Sequence, residues 1–339
     1  MIKLGIIGWG YWGRNYIKYL DTTVDAELSW VCELRPEMLS DVKKRYPHVH
    51  TTASVDELIK QKLDGIIIAT PATTHFALAK KIIPTGTALL IEKPLTSSLV
   101  QAVELKQLVK KYKACVLVGH TFLYNQAVRW LKAKVDKRYF GKLFHIECKR
   151  QSYGPIRDDV NIIWDFAPHD LSMITYLLGN KMPTSIFAKA KRYMRHPQED
   201  IASIMLEYGS SMLVTINVAW LYPMKIRMLT LLGRKRMAVF EDTNQIEPVK
   251  IYNTIIRYPS ETDPYKAAFR LGNVFIPRIE PIDPLATEIK HFVACINKEQ
   301  EPITSVSDGF TNVLLLEAIS QSLREKKEVD FRKFASSYV

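Results

Sequence analysis

At 339 residues the chain exceeds what one hydrophobic core usually organises, which predicts two domains or one domain with a large appended layer. Apolar residues make up 47% and charged residues 24%, with 14 glycines and 17 prolines, so disordered, fibrous and disulfide-stapled classes are excluded. The formal charge of +12 is spread over the chain, +5 across residues 1–122 and +7 across 123–339, in groups too short and interrupted for a nucleic-acid tract.

The predicted elements begin with a strand at 2–8, a helix at 12–20 and a strand at 27–33, then helices at 36–45 and 54–61. A strand at 64–70, a helix at 74–83, a strand at 87–91, a helix at 98–112 and a strand at 114–119 follow. Runs such as Gly65-Ile66-Ile67-Ile68-Ala69 and Ala88-Leu89-Leu90-Ile91 are apolar without alternation, as parallel strands covered on both faces require. This pattern is a doubly wound α/β sheet, a domain assigned to residues 1–122. The rhythm then changes. Helices at 125–137 and 166–178 flank a strand near 143–151, and strands dominate from 184 to 240 around turns such as Tyr208-Gly209-Ser210-Ser211. Six prolines between 248 and 284, Pro259 and Pro264 among them, mark a loop-rich edge, and helices at 285–298 and 308–326 close a second, α+β domain spanning 123–339.

The basic groups from Lys132 to Arg138, Lys189 to Arg195 and Arg234 to Arg236 read as solvated faces, with attraction of an anionic small molecule as the functional alternative. Cys32, Cys115, Cys148 and Cys295 form no C-x-x-C pair and lie in apolar runs, as thiols do in a reducing compartment. With a strand-like run starting at Ile2 and no apolar window long enough to span a bilayer, the expected setting is cytoplasmic, with neither membrane nor nucleic acid as a partner.

Gly8-Trp9-Gly10-Tyr11-Trp12-Gly13 is a G-x-G-x-x-G directly after the first strand and opening the first helix. Gly8 permits the tight turn, Gly10 admits a pyrophosphate to the backbone, and Gly13 lets the helix pack on the strand. Glu33 follows 20 positions after Gly13, where a carboxylate bonds the adenosine ribose hydroxyls and repels a 2′-phosphate. Arg35 could instead receive that phosphate, so NAD is favoured and NADP kept as the alternative. Glu92-Lys93-Pro94 ends a strand at the ligand-binding edge, where Lys93 could stabilise a developing alkoxide or be an ordinary solvated side chain. Asp165 and His169 stand four apart and share a helix face; an imidazole beside a carboxylate is a plausible proton acceptor, a capping Asp with a core His the plain alternative. No third ligand at recognisable spacing accompanies them, and no metal is expected. His75, in Thr70-Pro71-Ala72-Thr73-Thr74-His75, lies at a sheet edge near the expected cofactor, with capping or packing as the alternative. His48, His50, His145, His196 and His291 read as structural.

Taken in order, these motifs with Gly119-His120, Pro284-Leu285, Glu288 and His291-Phe292 resemble the glucose-fructose oxidoreductase and inositol dehydrogenase family, Gfo/Idh/MocA, over nearly the whole chain. The resemblance implies an N-terminal Rossmann domain and a C-terminal domain with a large, mostly antiparallel sheet often used for oligomerisation, hence a homodimer or homotetramer. It implies that Lys93 is the active-site lysine, before a cis proline, and that His169 is the general base with Asp165 its companion. The cofactor residues it implies are Gly8, Gly10, Tyr11, Trp12, Gly13, Glu33, Arg35, Thr70, Pro71, His75, Glu92 and Lys93. Within the family, Gly119-His120-Thr121-Phe122 through Asn125 and Gly154-Pro155-Ile156-Arg157 through Asn161 look most similar to nucleotide-sugar dehydrogenases. Lys93, His120, Tyr124, Arg157, Asn161, Asp165 and His169 are thereby expected to meet a sugar or nucleotide-sugar substrate. The Glu at position 33, where Asp is common, departs from the family pattern. A free sugar or polyol such as inositol is an alternative substrate, and a catalytically idle dinucleotide-binding regulator is the reading from another class; retention of Lys93, Asp165 and His169 together favours the enzyme.

Overall fold

The computed structural model of the chain describes residues 1–20, 25–154, 156–157, 160–194, 197–253, 255–257, 268–270 and 272–338. Pro155, Arg195, His196, Pro259 and Pro264, singled out in the sequence, lie outside the described residues. The chain divides into two compact units, Met1–Tyr124 with Ile282–Leu314, and Asn125–Pro281 with Leu315–Val339.

In the first unit β1 (Ile2–Ile7), β2 (Ala26–Cys32), β3 (His50–Thr52), β4 (Gly65–Ile68), β5 (Ala88–Glu92) and β6 (Val116–Gly119) form one sheet in the order β3-β2-β1-β4-β5-β6. All pairs are parallel. The connecting helices are α1 (Tyr11–Leu20), α2 (Pro36–Arg45), α3 (Val55–Ile59), α4 (Ala72–Ile82) and α5 (Leu99–Tyr112). The strand order reverses between β1 and β4, which puts the ligand crevice of such a sheet at the carboxyl ends of those strands. Every residue of β4 and β5 is buried, in keeping with their unalternating apolar sequence. Sequence periodicity does not foresee β3: three residues are too few for an alternation to register, and only the spacing of His48 and His50 hints at it.

The second unit opens with α6 (Gln126–Asp136), β7 (Leu143–Gln151) and α7 (Ile162–Leu177). Helix α7 starts four residues before the expected 166, because Asn161 caps it by accepting the Trp164 N–H at 3.0 Å and Pro168 is accommodated inside. Then come β8 (Ser185–Lys191), β9 (Ile201–Glu207), β10 (Leu213–Ala219), β11 (Ile226–Gly233), β12 (Met237–Glu241) and β13 (Val249–Tyr252). Beyond the antiparallel pair β14 (Ile255–Arg257) and β15 (Ala268–Arg270) lie β16 (Val274–Phe275) and, near the end of the chain, β17 (Val329–Asp330). The nine-stranded sheet runs β16-β13-β12-β11-β7-β10-β9-β8-β17, antiparallel throughout except for β7 with β10. Its strands alternate buried and exposed residues, and α7 packs on the buried face over β7, β9 and β10.

Between residues 282 and 314 the chain returns to the first unit, which therefore extends beyond the 1–122 span expected from its sequence. Helix α8 (Pro284–Ile296), capped by Asp283, buries Leu285, Ile289, Phe292 and Val293 in one core with Leu4, Ile6, Tyr16 and Leu117. Those positions make one apolar stripe at helical spacing, which the sequence shows; which sheet the stripe covers it does not show. The boundary between units falls again within α9 (Val306–Glu325). Among the described residues no helix is long and apolar enough to cross a membrane.

Candidate functional site

The turn from β1 to α1 is shaped by glycine. Gly8 adopts φ +98°, and a Cβ at Gly13 would overlap the Gly8 carbonyl oxygen. Gly10 faces open space: a Cβ there would meet nothing within 4 Å, which is the room a pyrophosphate needs beside the first N–H groups of α1. Tyr11 is 77% exposed and stands edge-to-face with Trp12, ring centroids 5.5 Å apart. Trp9 is buried, its N–H donating to Glu33 Oε2 at 2.9 Å and its indole Nε1–H to Asp41 Oδ2 at 3.1 Å. The Glu33 Oε1 accepts the Leu34 and Arg35 N–H groups, and the Arg35 guanidinium closes over both carboxylate oxygens, Nη2 to Oε2 at 2.9 Å. Burial pulls the Glu33 carboxyl upward, but the bonds from Arg35 and from the main chain outweigh it and hold its pKa down to about 2. This cradle fits an adenosine dinucleotide: open space at Gly10, N–H groups at a helix start and a carboxylate at the end of β2.

At the end of β5, Glu92 is buried and accepts the Tyr16 hydroxyl at 2.8 Å and the Lys93 N–H at 3.1 Å. The Lys93–Pro94 peptide bond is cis. His75 is buried in the first turn of α4, with Nδ1 2.9 Å from the Pro94 carbonyl and Nε2 2.9 Å from that of Thr70. Pro71 precedes α4, its carbonyl accepting the Thr74 hydroxyl at 2.8 Å. His120, just past β6, is 1% exposed, and neither ring nitrogen meets a partner among the described residues. Burial, helped by the Lys93 charge, pushes His120 down to about 4, so it is neutral at physiological pH. Thr121 donates to Glu288 Oε2 on α8 at 3.0 Å; burial and the Glu92 charge raise the Glu288 carboxyl well above its ordinary value. Tyr124 is fully buried with its hydroxyl 3.1 Å from Thr304.

In the second unit Asp165 and His169 lie one turn apart on α7, as their spacing predicts. Trp220 Nε1–H donates to Asp165 Oδ2 at 3.1 Å, and the Arg157 guanidinium approaches Asp165 Oδ1 at 3.6 Å. Asn161, besides capping α7, donates to Glu199 Oε2 at 3.0 Å. On the other side of the helix Asp170 is fully buried against Arg150 of β7, Nη2 to Oδ1 at 3.0 Å and Nε to Oδ2 at 3.1 Å, which pins α7 to the sheet.

Sequence reasoning did not single out Tyr16, Asp41, Trp220 or Arg150, whose partners lie 76, 32, 55 and 20 positions away. No local pattern announces such pairs; the nearest signal is polar atoms placed on otherwise apolar faces.

The chain matches the description "Oxidoreductase family, NAD-binding Rossmann fold" over residues 2–120 and "GFO/IDH/MocA C-terminal domain" over residues 128–239. It belongs to the Gfo/Idh/MocA oxidoreductase family and carries that family's NAD-binding Rossmann domain. Inositol 2-dehydrogenase of Rhizobium meliloti (strain 1021) is 24% identical over 343 residues, covering 97% of this chain and 98% of the relative. UDP-N-acetylglucosamine 3-dehydrogenase of Acidithiobacillus ferrooxidans is 28% identical over 180 residues, covering 52% of this chain and 55% of the relative. Among solved structures, the WlbA dehydrogenase from Bordetella pertussis in complex with NADH and UDP-GlcNAcA superposes with a TM-score of 0.79 at 19% identity, over 97% of this chain and 98% of that one. That last likeness is one of fold.

Proposed function

We propose that the protein is an NAD-dependent dehydrogenase oxidising a ring hydroxyl of a nucleotide-linked sugar, taken as a UDP-linked N-acetylated sugar or its uronic acid. The observation that carries the proposal is the Arg157 guanidinium beside Asp165, on the face of α7 that also bears His169. A forked cation next to an acid–base pair suits a substrate whose reacting hydroxyl is linked to a phosphate or carboxylate. In this reading bound NAD is the hydride acceptor. The Lys93 ammonium stabilises charge developing on the substrate oxygen, and His169 accepts the hydroxyl proton while Asp165 orients it. Glu33 selects NAD over NADP by repelling a 2′-phosphate.

A second reading is a free polyol as substrate, favoured by the inositol 2-dehydrogenase likeness along almost the whole chain. The two part at Arg157. If the diphosphate or carboxylate supplies binding energy there, Arg157→Ala raises KM for the nucleotide sugar about tenfold or more with kcat little changed, and added salt weakens what binding remains. An unchanged KM would favour the polyol.

In the same proposal the protein is a cytoplasmic homodimer or homotetramer. The four unpaired cysteines suit a reducing compartment. Self-association is supported by the sheet face opposite α7, where Phe187, Met205 and Leu213 cluster, Met205 being 40% and Leu213 37% exposed.

A further inference from the structure

His75 stands apart from the other buried histidines in where its nitrogens go. At 1% exposure it lies in the first turn of α4, and each ring nitrogen is 2.9 Å from a main-chain carbonyl oxygen, one from Pro94 after β5 and one from Thr70 after β4. A neutral imidazole in either tautomer donates to one of these carbonyls, and an imidazolium donates to both. In every protonation state the ring therefore ties α4 to at least one of the two turns, and both of its nitrogens are directed at main chain.

The other end of the β5 turn is held as well. The Lys93 N–H donates to Glu92 Oε2, and Glu92 is itself fixed by the Tyr16 hydroxyl from α1. Lys93 thus sits between two anchors, a carboxylate on its own amide and an imidazole on the carbonyl of the residue that follows. On the far side, the Thr70–Pro71 turn is locked to α4 by Thr74, whose hydroxyl donates to the Pro71 carbonyl at 2.8 Å and lies 2.6 Å from the Thr70 hydroxyl. A lysine side chain is flexible, with about 2 kcal/mol of rotamer entropy, so a fixed backbone is what confines its ammonium.

We propose that His75 is a positioning residue that straps the Lys93–Pro94 turn to the Thr70–Pro71 turn and so presents the Lys93 ammonium in one place at the carboxyl edge of β5. Its part in catalysis rests on the reading of Lys93 as the charge-stabilising group; the strap itself does not. A displacement of about 1 Å at such a group can cost up to about a hundredfold in rate.

Hydrogen–deuterium exchange of the NADH-bound protein tests the strap without any sugar substrate. His75→Phe keeps the bulk of the ring and removes both bonds, whereas His75→Gln retains a donor for one carbonyl. The expected result is faster exchange, about tenfold or more, confined to residues 70–74 and 92–97 in the Phe variant and smaller in the Gln variant, with NADH affinity changed by less than about threefold. Turnover should fall about tenfold or more at nearly constant KM, and His75→Phe should add nothing further to Lys93→Met. Unchanged exchange in those two turns overturns the strap, as does exchange that rises throughout the sheet. A fall in NADH affinity as large as the fall in turnover overturns it too, and makes His75 a cofactor contact. Full turnover in Lys93→Met would sink the reading of Lys93 while leaving the exchange result to decide the strap.

Discussion

At the scale of single residues, the proposed cofactor preference turns on Glu33 and Arg35 at the end of β2. Glu33 stays ionised down to about pH 2, and Arg35, bonded to both of its oxygens, is a group that could welcome a 2′-phosphate. NADH should bind more tightly than NADPH in calorimetric titration, a preference that persists into mildly acidic buffer because Glu33 gains its proton only far below it. Arg35→Ala should weaken NADPH more than NADH; equal or tighter NADPH binding by the unaltered protein would reverse the assignment. Lys93→Met and His169→Ala should each lower turnover about a hundredfold, the range for losing a positioned charge or proton acceptor, with NADH affinity much less affected. Either variant retaining full turnover removes that residue from the mechanism. The residues that sequence reveals here are those set by local spacing: Gly8 to Gly13, Glu33 at the strand end, Asp165 and His169 one helical turn apart. The groups that orient them, Tyr16 on Glu92 and Trp220 on Asp165, come from distant segments and become visible only once the chain is folded.

At the scale of elements, helix α8 shows where sequence reading stops. Its apolar stripe is plain at 285, 289, 292 and 293, and Asp283 marks its start by accepting the Leu285 N–H at 2.8 Å. An amphipathic stripe states that a helix will be buried, not against what, so a segment that follows all but the last strand of the second sheet in the chain packs in the core of the first unit. A Cβ at Gly65 on β4 would lie 2.9 Å from the Phe292 ring and 2.8 Å from Ile296, so strand and helix meet with no room for a larger residue. Phe292, fully buried, should therefore be worth about 3 to 5 kcal/mol to the first unit on truncation to Ala. Urea unfolding of Phe292→Ala should show that loss together with weakened NADH binding, since the same core supports the β1–α1 turn. A loss below about 1 kcal/mol would place α8 outside that core. The short strand β3 and the early start of α7 escaped the sequence for related reasons: one is too brief for a period, the other depends on a cap at Asn161, which starts the helix four residues before the expected 166.

At the scale of the whole molecule, the chemistry proposed for this member of a family with an NAD-binding Rossmann domain is oxidation of a sugar that carries an anionic handle. If the substrate is such a sugar, the excess of +12 charges should raise its local concentration, an advantage that salt erodes over a screening length of about 10 Å at 0.1 M. The most direct test is steady-state NAD reduction, followed by nicotinamide absorbance, with UDP-N-acetylglucosamine, its uronic acid, myo-inositol and glucose compared at equal ionic strength. The expected result is turnover of at least one UDP-sugar, with kcat/KM above that for both free compounds. Higher kcat/KM for myo-inositol or glucose than for every nucleotide sugar would contradict it.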